Sequence, residues 1–249
     1  MNRLTEPDNL GASLQMAEVN AGYFEKDLVL NSVSINVRPG AVTAVLGPNG
    51  SGKSTALRVL SGFLPARQGK IWLDGEEISA LSPGERLSRG ISLLPQGRSI
   101  FPELTVEDNL VLGAWLLRHN KSELKSAVEA MFDRYPLLKG FRHRVAGSLS
   151  GGQARMLEFA RTLIVSPSVL LIDEPSVGLA PFLVDEVYDE LERLKGENST
   201  ILLVDQNVSA AVELADYVYT LAYGENHLQG NKDSFEGQLD GLIQQWLSL

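Results

Sequence analysis

The stretch GPNGSGKST, residues 47–55, sets a lysine and two hydroxyl side chains directly behind a glycine-rich run. It fits the pattern G-x-x-x-x-G-K-[ST]. Such glycines let consecutive backbone N–H groups close around phosphate oxygens, and the start of the following helix adds a favourable dipole. Gly47, Pro48, Asn49, Gly50, Ser51, Gly52, Lys53, Ser54 and Thr55 are therefore expected to cradle a nucleotide's phosphates. Lys53 would neutralise the β- and γ-phosphates and Ser54 would ligate Mg²⁺. The plainer alternative is a Gly-rich turn that only caps a helix. An apolar strand before the run and a helical pattern after it favour the phosphate reading.

Three further stretches could serve the same chemistry. VLLIDEP (169–175) is an apolar run ending in two carboxylates. Asp173 would hold Mg²⁺, and Glu174, pointing elsewhere, could polarise an attacking water as general base. Standing alone, such a pair is more often the acidic start of a helix. LSGGQ (149–153) is a capping-box pattern, with Ser150 as N-cap and Gln153 three residues on. It could simply begin a helix. Gly151 and Gly152 weaken that helix, however, and leave N–H groups open to an anion. A second anion site beside a complete phosphate loop suggests one nucleotide shared by two chains. Finally, ILLVDQN (201–207) is an apolar run that stops at Asp205, Gln206 and Asn207.

The elements that must position these residues alternate. Strand patterns are expected at 32–37, 41–46, 91–96, 169–173, 200–205 and 217–222, with a strand, turn and return in KIWLDGEEI. Helices are expected at 182–195 and 208–215, and strands alternating with helices argue for a parallel sheet. From Thr105 to about Val165 only helices are expected, in TVEDNLVLGAWLL, SELKSAVEAMFDRY and GGQARMLEFARTLI. In the second of these Leu124, Val128, Phe132 and Tyr135 share one face. The first dozen residues are polar and expected to fray.

A chain of 249 residues can bury a sizeable core, and 44% apolar with 21% charged residues is ordinary for a globular protein. A net charge of −9 argues against nucleic acid as a partner. Without cysteine, disulfides and thiolate metal sites are excluded. No apolar run is long enough to span a bilayer, and the start carries no signal pattern, so a cytoplasmic location is expected.

Phosphate loop, LSGGQ and VLLIDEP within one chain resemble the nucleotide-binding subunit of an ABC transporter, over residues 14 to 230. The resemblance implies an α/β fold: a P-loop NTPase core with a mainly parallel sheet, an N-terminal antiparallel β subdomain and an inserted α-helical subdomain. Its parts would be 14–98 with the β subdomain and phosphate loop, 99–165 with the helices, and 166–230 with the rest of the core. Residues 231–249 are left as a C-terminal tail.

It also implies ATP and Mg²⁺ as ligands and a head-to-tail dimer, as homodimer or as heterodimer with a second ABC ATPase. Ser150, Gly151, Gly152 and Gln153 of one subunit would then meet the γ-phosphate held by the other. Tyr23 would stack on adenine, and Gln96 would sense Mg²⁺ and the attacking water. The segment SVGLAP (176–181) falls where the family has its D-loop. Membrane permeases would dock through the helical insert and the loop after Gln96, with Ile100-Phe101 as an exposed apolar pair. An extracytoplasmic solute-binding protein would act indirectly, and the subunit would sit peripherally on the inner face of the membrane.

PQGRSIFPELTVEDNL, DEPSVGLAP and LLVDQN are together similar to the second ATPase of branched-chain (hydrophobic) amino-acid importers. ATPases serving urea and short amides share these features, and a soluble, non-transport ABC ATPase is the rival reading. Most family members carry Asp where Ala180 stands and His where Gln206 stands. Gln206 would then position groups near the γ-phosphate without moving a proton, leaving Glu174 as the base.

Overall fold

The computed structural model describes residues 13–235. Its first strand, β1 (Leu14–Ala21), buries Leu14 and Met16 and then Val19 and Ala21. The switch from even to odd positions is a bulge, with Glu18 at φ +50°. A bulge inserts one residue and re-aims those beyond it. This broken period is why LQMAEVNA does not read as a strand in the sequence. The expected fraying of the first dozen residues lies outside the described ones.

Strand β2 (Leu30–Val37) pairs antiparallel with β1. It is followed by β3 (Val42–Leu46), all five residues buried, and by helix α1 (Lys53–Leu60). Strands β4 (Gln68–Leu73) and β5 (Glu76–Glu77) form a hairpin. Asp74 and Gly75 both have positive φ there, the twist that a two-residue hairpin favours. The antiparallel sheet runs β2-β1-β4-β5. A short helix, α2 (Pro83–Ser88), is started by a Ser82–Glu85 capping box and Pro83 at its first position. At that length it has no period to read.

Strand β6 (Ile91–Leu94) leads into the helices α3 (Val106–Gly113), α4 (Lys121–Arg134), α5 (Pro136–Lys139) and α6 (Gly151–Leu163). The expected single helix TVEDNLVLGAWLL stops at Gly113. A Cβ there would lie 2.9 Å from the Arg161 carbonyl oxygen, so the glycine serves a close crossing of α3 over α6. One bridge, Thr105 with Val145, interrupts the all-helical expectation. On α4, Val128 and Phe132 are buried and Leu124 packs beside them. Truncating Phe132 to alanine would cost about 3–5 kcal/mol.

The remainder alternates: β7 (Val169–Asp173), α7 (Pro181–Gly196), β8 (Thr200–Val204), α8 (Val208–Leu214), β9 (Tyr217–Ala222) and β10 (Glu225–Asn231). The second sheet runs β10-β9-β3-β8-β7-β6, parallel except for β10. Its central strands β3, β7 and β8 are buried on both faces. Ile201 and Leu203 of β8 face the helical side, while Leu202 and Val204 face α1 and the antiparallel sheet. Strand β10 was not expected; HLQ in ENHLQGN is exposed or half-exposed, so it offers no apolar face to read. Among the described residues no helix is long and apolar enough to cross a membrane.

Candidate functional site

Because β3, β7 and β8 are parallel neighbours, their carboxyl ends deliver three loops to one edge of the sheet. That edge is where open α/β sheets hold ligands. The loop after β3 is GPNGSGKST. Gly52 lies at φ +103°, where a Cβ would be 2.7 Å from Leu30 Cδ2. Asn49 and Gly50 are exposed at the tip, and Gly47 and Pro48 are half-buried. Lys53 is buried, and its Nζ donates to the carbonyls of Gly47 at 2.8 Å and Pro48 at 3.0 Å. Burial lowers its pKa, opposed by the charges of Glu174, Asp173 and Asp205. The buried hydroxyl of Ser51 has no hydrogen-bond partner. An ammonium bonded only to its own loop and an orphaned hydroxyl suit an anion entering the cradle.

The hydroxyl of Ser54 donates to Oδ1 of Asp173 at 3.0 Å. Burial raises the pKa of Asp173, and the Ser54 bond opposes the rise. Glu174, next in sequence, has φ +42°, and its N–H donates to the Val204 carbonyl at 2.7 Å. This left-handed kink at a non-glycine residue turns Glu174 away from Asp173. Its Oε2 accepts from Gln96 Nε2 at 2.6 Å and from Gln206 Nε2 at 2.7 Å. Three chain segments thus converge on one carboxylate.

Tyr23 is 45% exposed. Its hydroxyl lies 3.3 Å from Thr55 Oγ1 and accepts from Arg58 at 3.4 Å. The ring therefore stands beside the first turns of α1, at the rim of the cradle. Ser150 caps α6 as expected: its Oγ accepts the N–H of Gln153 at 3.3 Å, and Gln153 Oε1 accepts the N–H of Ser150 at 3.0 Å. The N–H groups of Gly151 and Gly152, in the first turn, have no intrahelical acceptor. Gly152 has a second constraint, since a Cβ there would lie 2.5 Å from Leu183 Cδ2 on α7. Among the described residues no hydrogen bond joins Ser150–Gln153 to the phosphate loop, Asp173 or Glu174.

Sequence reasoning missed the residues that hold the loop after Gln96. Asn109, fully buried on α3, donates to the Phe101 carbonyl at 2.9 Å and accepts the Phe101 N–H at 2.8 Å. Glu158 on α6 accepts the Ser99 N–H at 2.5 Å, while Arg161 donates to the Ser99 carbonyl. Asn109 follows buried Val106 and precedes buried Leu110 on α3, and a polar residue at such a position was the available signal, whereas Glu158 lies among Arg155, Arg161 and Thr162 on α6 and gave none. The expected exposed pair Ile100-Phe101 is corrected in part: Ile100 packs against the core and Phe101 alone is exposed. A groove of about 400 Å³ opens beside this loop and the edge strand β6, lined by Phe63, Leu87, Pro95, Ser99 and Arg161.

Known proteins resemble this chain in sequence and in fold. The family described as ABC transporter matches residues 30–177. A probable branched-chain amino acid transport ATP-binding protein, LivF, of Archaeoglobus fulgidus is 39% identical over 218 residues, 87% of this chain and 91% of that protein. The high-affinity branched-chain amino acid transport ATP-binding protein BraG of Pseudomonas aeruginosa is 37% identical over 202 residues, 81% of this chain and 86% of that one. Among solved structures, the ADP conformation of MJ1267, an ATP-binding cassette of an ABC transporter, superposes with a TM-score of 0.83 at 27% identity. It covers 96% of this chain and 99% of that one.

Proposed function

Since the chain belongs to the ABC transporter family as an ATP-binding subunit and is an ATPase, we propose that it drives an importer of branched-chain or other hydrophobic amino acids. One observation carries the reading. Lys53, the Ser54–Asp173 pair, and Glu174 gripped by two glutamines meet at the carboxyl ends of adjacent parallel strands. Likeness to LivF and BraG supports the solute class.

ATP is the substrate. Lys53 exchanges the carbonyls of Gly47 and Pro48 for phosphate oxygens, and the backbone N–H groups of residues 49–55 take the remainder. Ser54 and Asp173 are hard oxygen donors that suit Mg²⁺, which when bound would neutralise charge on the β- and γ-phosphates. Glu174 takes the proton of the attacking water as the bond from the γ-phosphorus to its bridging oxygen breaks in line, giving ADP and phosphate. Gln96 and Gln206 hold Glu174 in place. Tyr23 stacks on the adenine from the rim of the cradle.

Family membership implies a dimer and membrane permease partners. In a head-to-tail dimer, with a second copy or a second ABC ATPase, the open amides of Gly151 and Gly152 serve the nucleotide of the partner, with Ser150 and Gln153 shaping that turn. Residues 14–98, 99–165 and 166–230 act as subdomains. The groove beside Phe63 and Ser99 takes the permease, placing the subunit on the cytoplasmic face of the membrane. A solute-binding protein acts from the opposite side.

Labelled leucine uptake by cells lacking this chain, with and without restoration by wild type or Lys53→Ala, tests the reading. Restoration by wild type alone is expected, with permeases co-purifying. Loss of urea or short-amide uptake instead would reassign the solute. Purification without any permease would favour a soluble ABC ATPase.

A further inference from the structure

Gln206 is exposed, so packing does not hold its side chain in place. Yet its amide lies 2.7 Å from Oε2 of Glu174. What aims it is the backbone on either side. Asp205, 1% exposed, accepts the N–H of Asn207 on Oδ1 at 2.9 Å, which closes a turn around Gln206. Its Oδ2 accepts the hydroxyl of Tyr188 at 2.9 Å. Asn207 in turn caps α8 through its side chain, so the turn is tied down at both ends.

A buried carboxylate is costly unless its acceptor sites are filled. Burial raises the pKa of Asp205, and these hydrogen bonds pull the other way. Tyr188 stays a donor, because burial and the neighbouring carboxylate both raise its own pKa. Asp205 therefore has a defined pair of partners, one on the turn that carries Gln206 and one on α7.

We propose that Asp205, backed by Tyr188, is a positioning residue that acts on ATP hydrolysis through Gln206. It fixes the turn from which Gln206 reaches the base, and Tyr188 fixes the carboxylate that makes the turn. Because α7 follows directly on the segment 176–181, the Tyr188 bond also ties the aim of Gln206 to the placement of that segment. The inference rests on the role of Gln206 in the proposed function.

Steady-state ATP hydrolysis by the purified chain tests it, with Asp205→Ala, Asp205→Asn and Tyr188→Phe each made in wild-type and Gln206→Ala backgrounds. In wild type, Asp205→Ala should lower kcat about tenfold and Tyr188→Phe about threefold, with KM for ATP within about twofold. Asp205→Asn should restore kcat to within about twofold, since its oxygen can accept from Asn207 and its amide can donate to the Tyr188 oxygen. In the Gln206→Ala background the Ala and Phe losses should vanish, because residues acting in series are not additive. Should Asp205→Ala fail to fold, Tyr188→Phe in the two backgrounds decides. Equal fold-losses in both backgrounds, or a raised KM with kcat intact, would overturn the proposal while leaving Gln206 in place. If Gln206→Ala alone leaves kcat unchanged, the reading of Gln206 fails and this one with it.

Discussion

The side-chain amide of Gln206 donates to Oε2 of Glu174 at 2.7 Å, and the amide of Gln96 donates to that same oxygen at 2.6 Å. Two donors on one oxygen orient the carboxylate, and no bond from either glutamine falls on Oε1. Neither amide can accept the proton that hydrolysis releases. The arrangement separates holding the base from being the base.

Glu174→Gln keeps the shape and the acceptor oxygen but removes the proton acceptor. Hydrolysis should fall at least about 100-fold, the range of a lost general base, while ATP affinity changes little. Phosphate release and calorimetry measure the two. ATP should then also shift the variant to a dimer in gel filtration. Unchanged steady-state hydrolysis would remove Glu174 from its role.

Gln206→His retains an N–H donor on the same backbone turn. Hydrolysis should stay within about tenfold, roughly 1.4 kcal/mol of barrier. The variant should gain a pH dependence centred near the ordinary imidazole value of about 6.5 that the parent lacks. A thousandfold change in either direction, roughly 4 kcal/mol, would mean that this position does more than hold Glu174.

Lys53→Ala removes the one side-chain cation of the phosphate cradle. Charge-assisted bonds are worth about 1.5–3 kcal/mol each, so ATP affinity should drop at least tenfold. Calorimetry on the nucleotide-free chain checks this, and an unchanged affinity would contradict the phosphate-loop reading.

The residues of the cradle were legible because backbone amides that surround a phosphate must be consecutive, so GPNGSGKST stays together in the chain. Strands β3, β7, β8 and β9 were legible as short apolar runs. Strand β1 was not, because the bulge at Glu18 shifts its buried positions by one. The supporting residues were hidden for a different reason. Glu158 meets Ser99 across 59 positions and Tyr188 meets Asp205 across 17, so no local pattern joins them. The convergence of Gln96 on Glu174 is likewise a product of sheet order, which sets β6 beside β7.

Asp173→Asn separates the cost of the site from its use. Burial raises the pKa of Asp173 above its ordinary 3.8, and Lys53 and Arg58 pull it down without cancelling the rise. A carboxyl raised in the fold holds its proton more tightly there than in the unfolded chain. The stability this adds is fully present below pH 3.8 and is lost as pH rises through the raised folded value. At neutral pH the ionised Asp173 therefore weighs against the nucleotide-free fold, and the isosteric amide removes that cost. The variant should melt above wild type at pH 7, and the gap should narrow as pH falls through the raised value toward the ordinary one. Its response to Mg²⁺-ATP should be the reverse. Wild type at 100 times the dissociation constant gains about 2.7 kcal/mol, and most of the Mg²⁺-dependent part of that gain should disappear in the variant. Thermal melts across pH, with and without Mg²⁺-ATP, test both halves. A variant that melts below wild type at neutral pH would show that the Ser54 bond to Asp173 outweighs the cost of burying its charge.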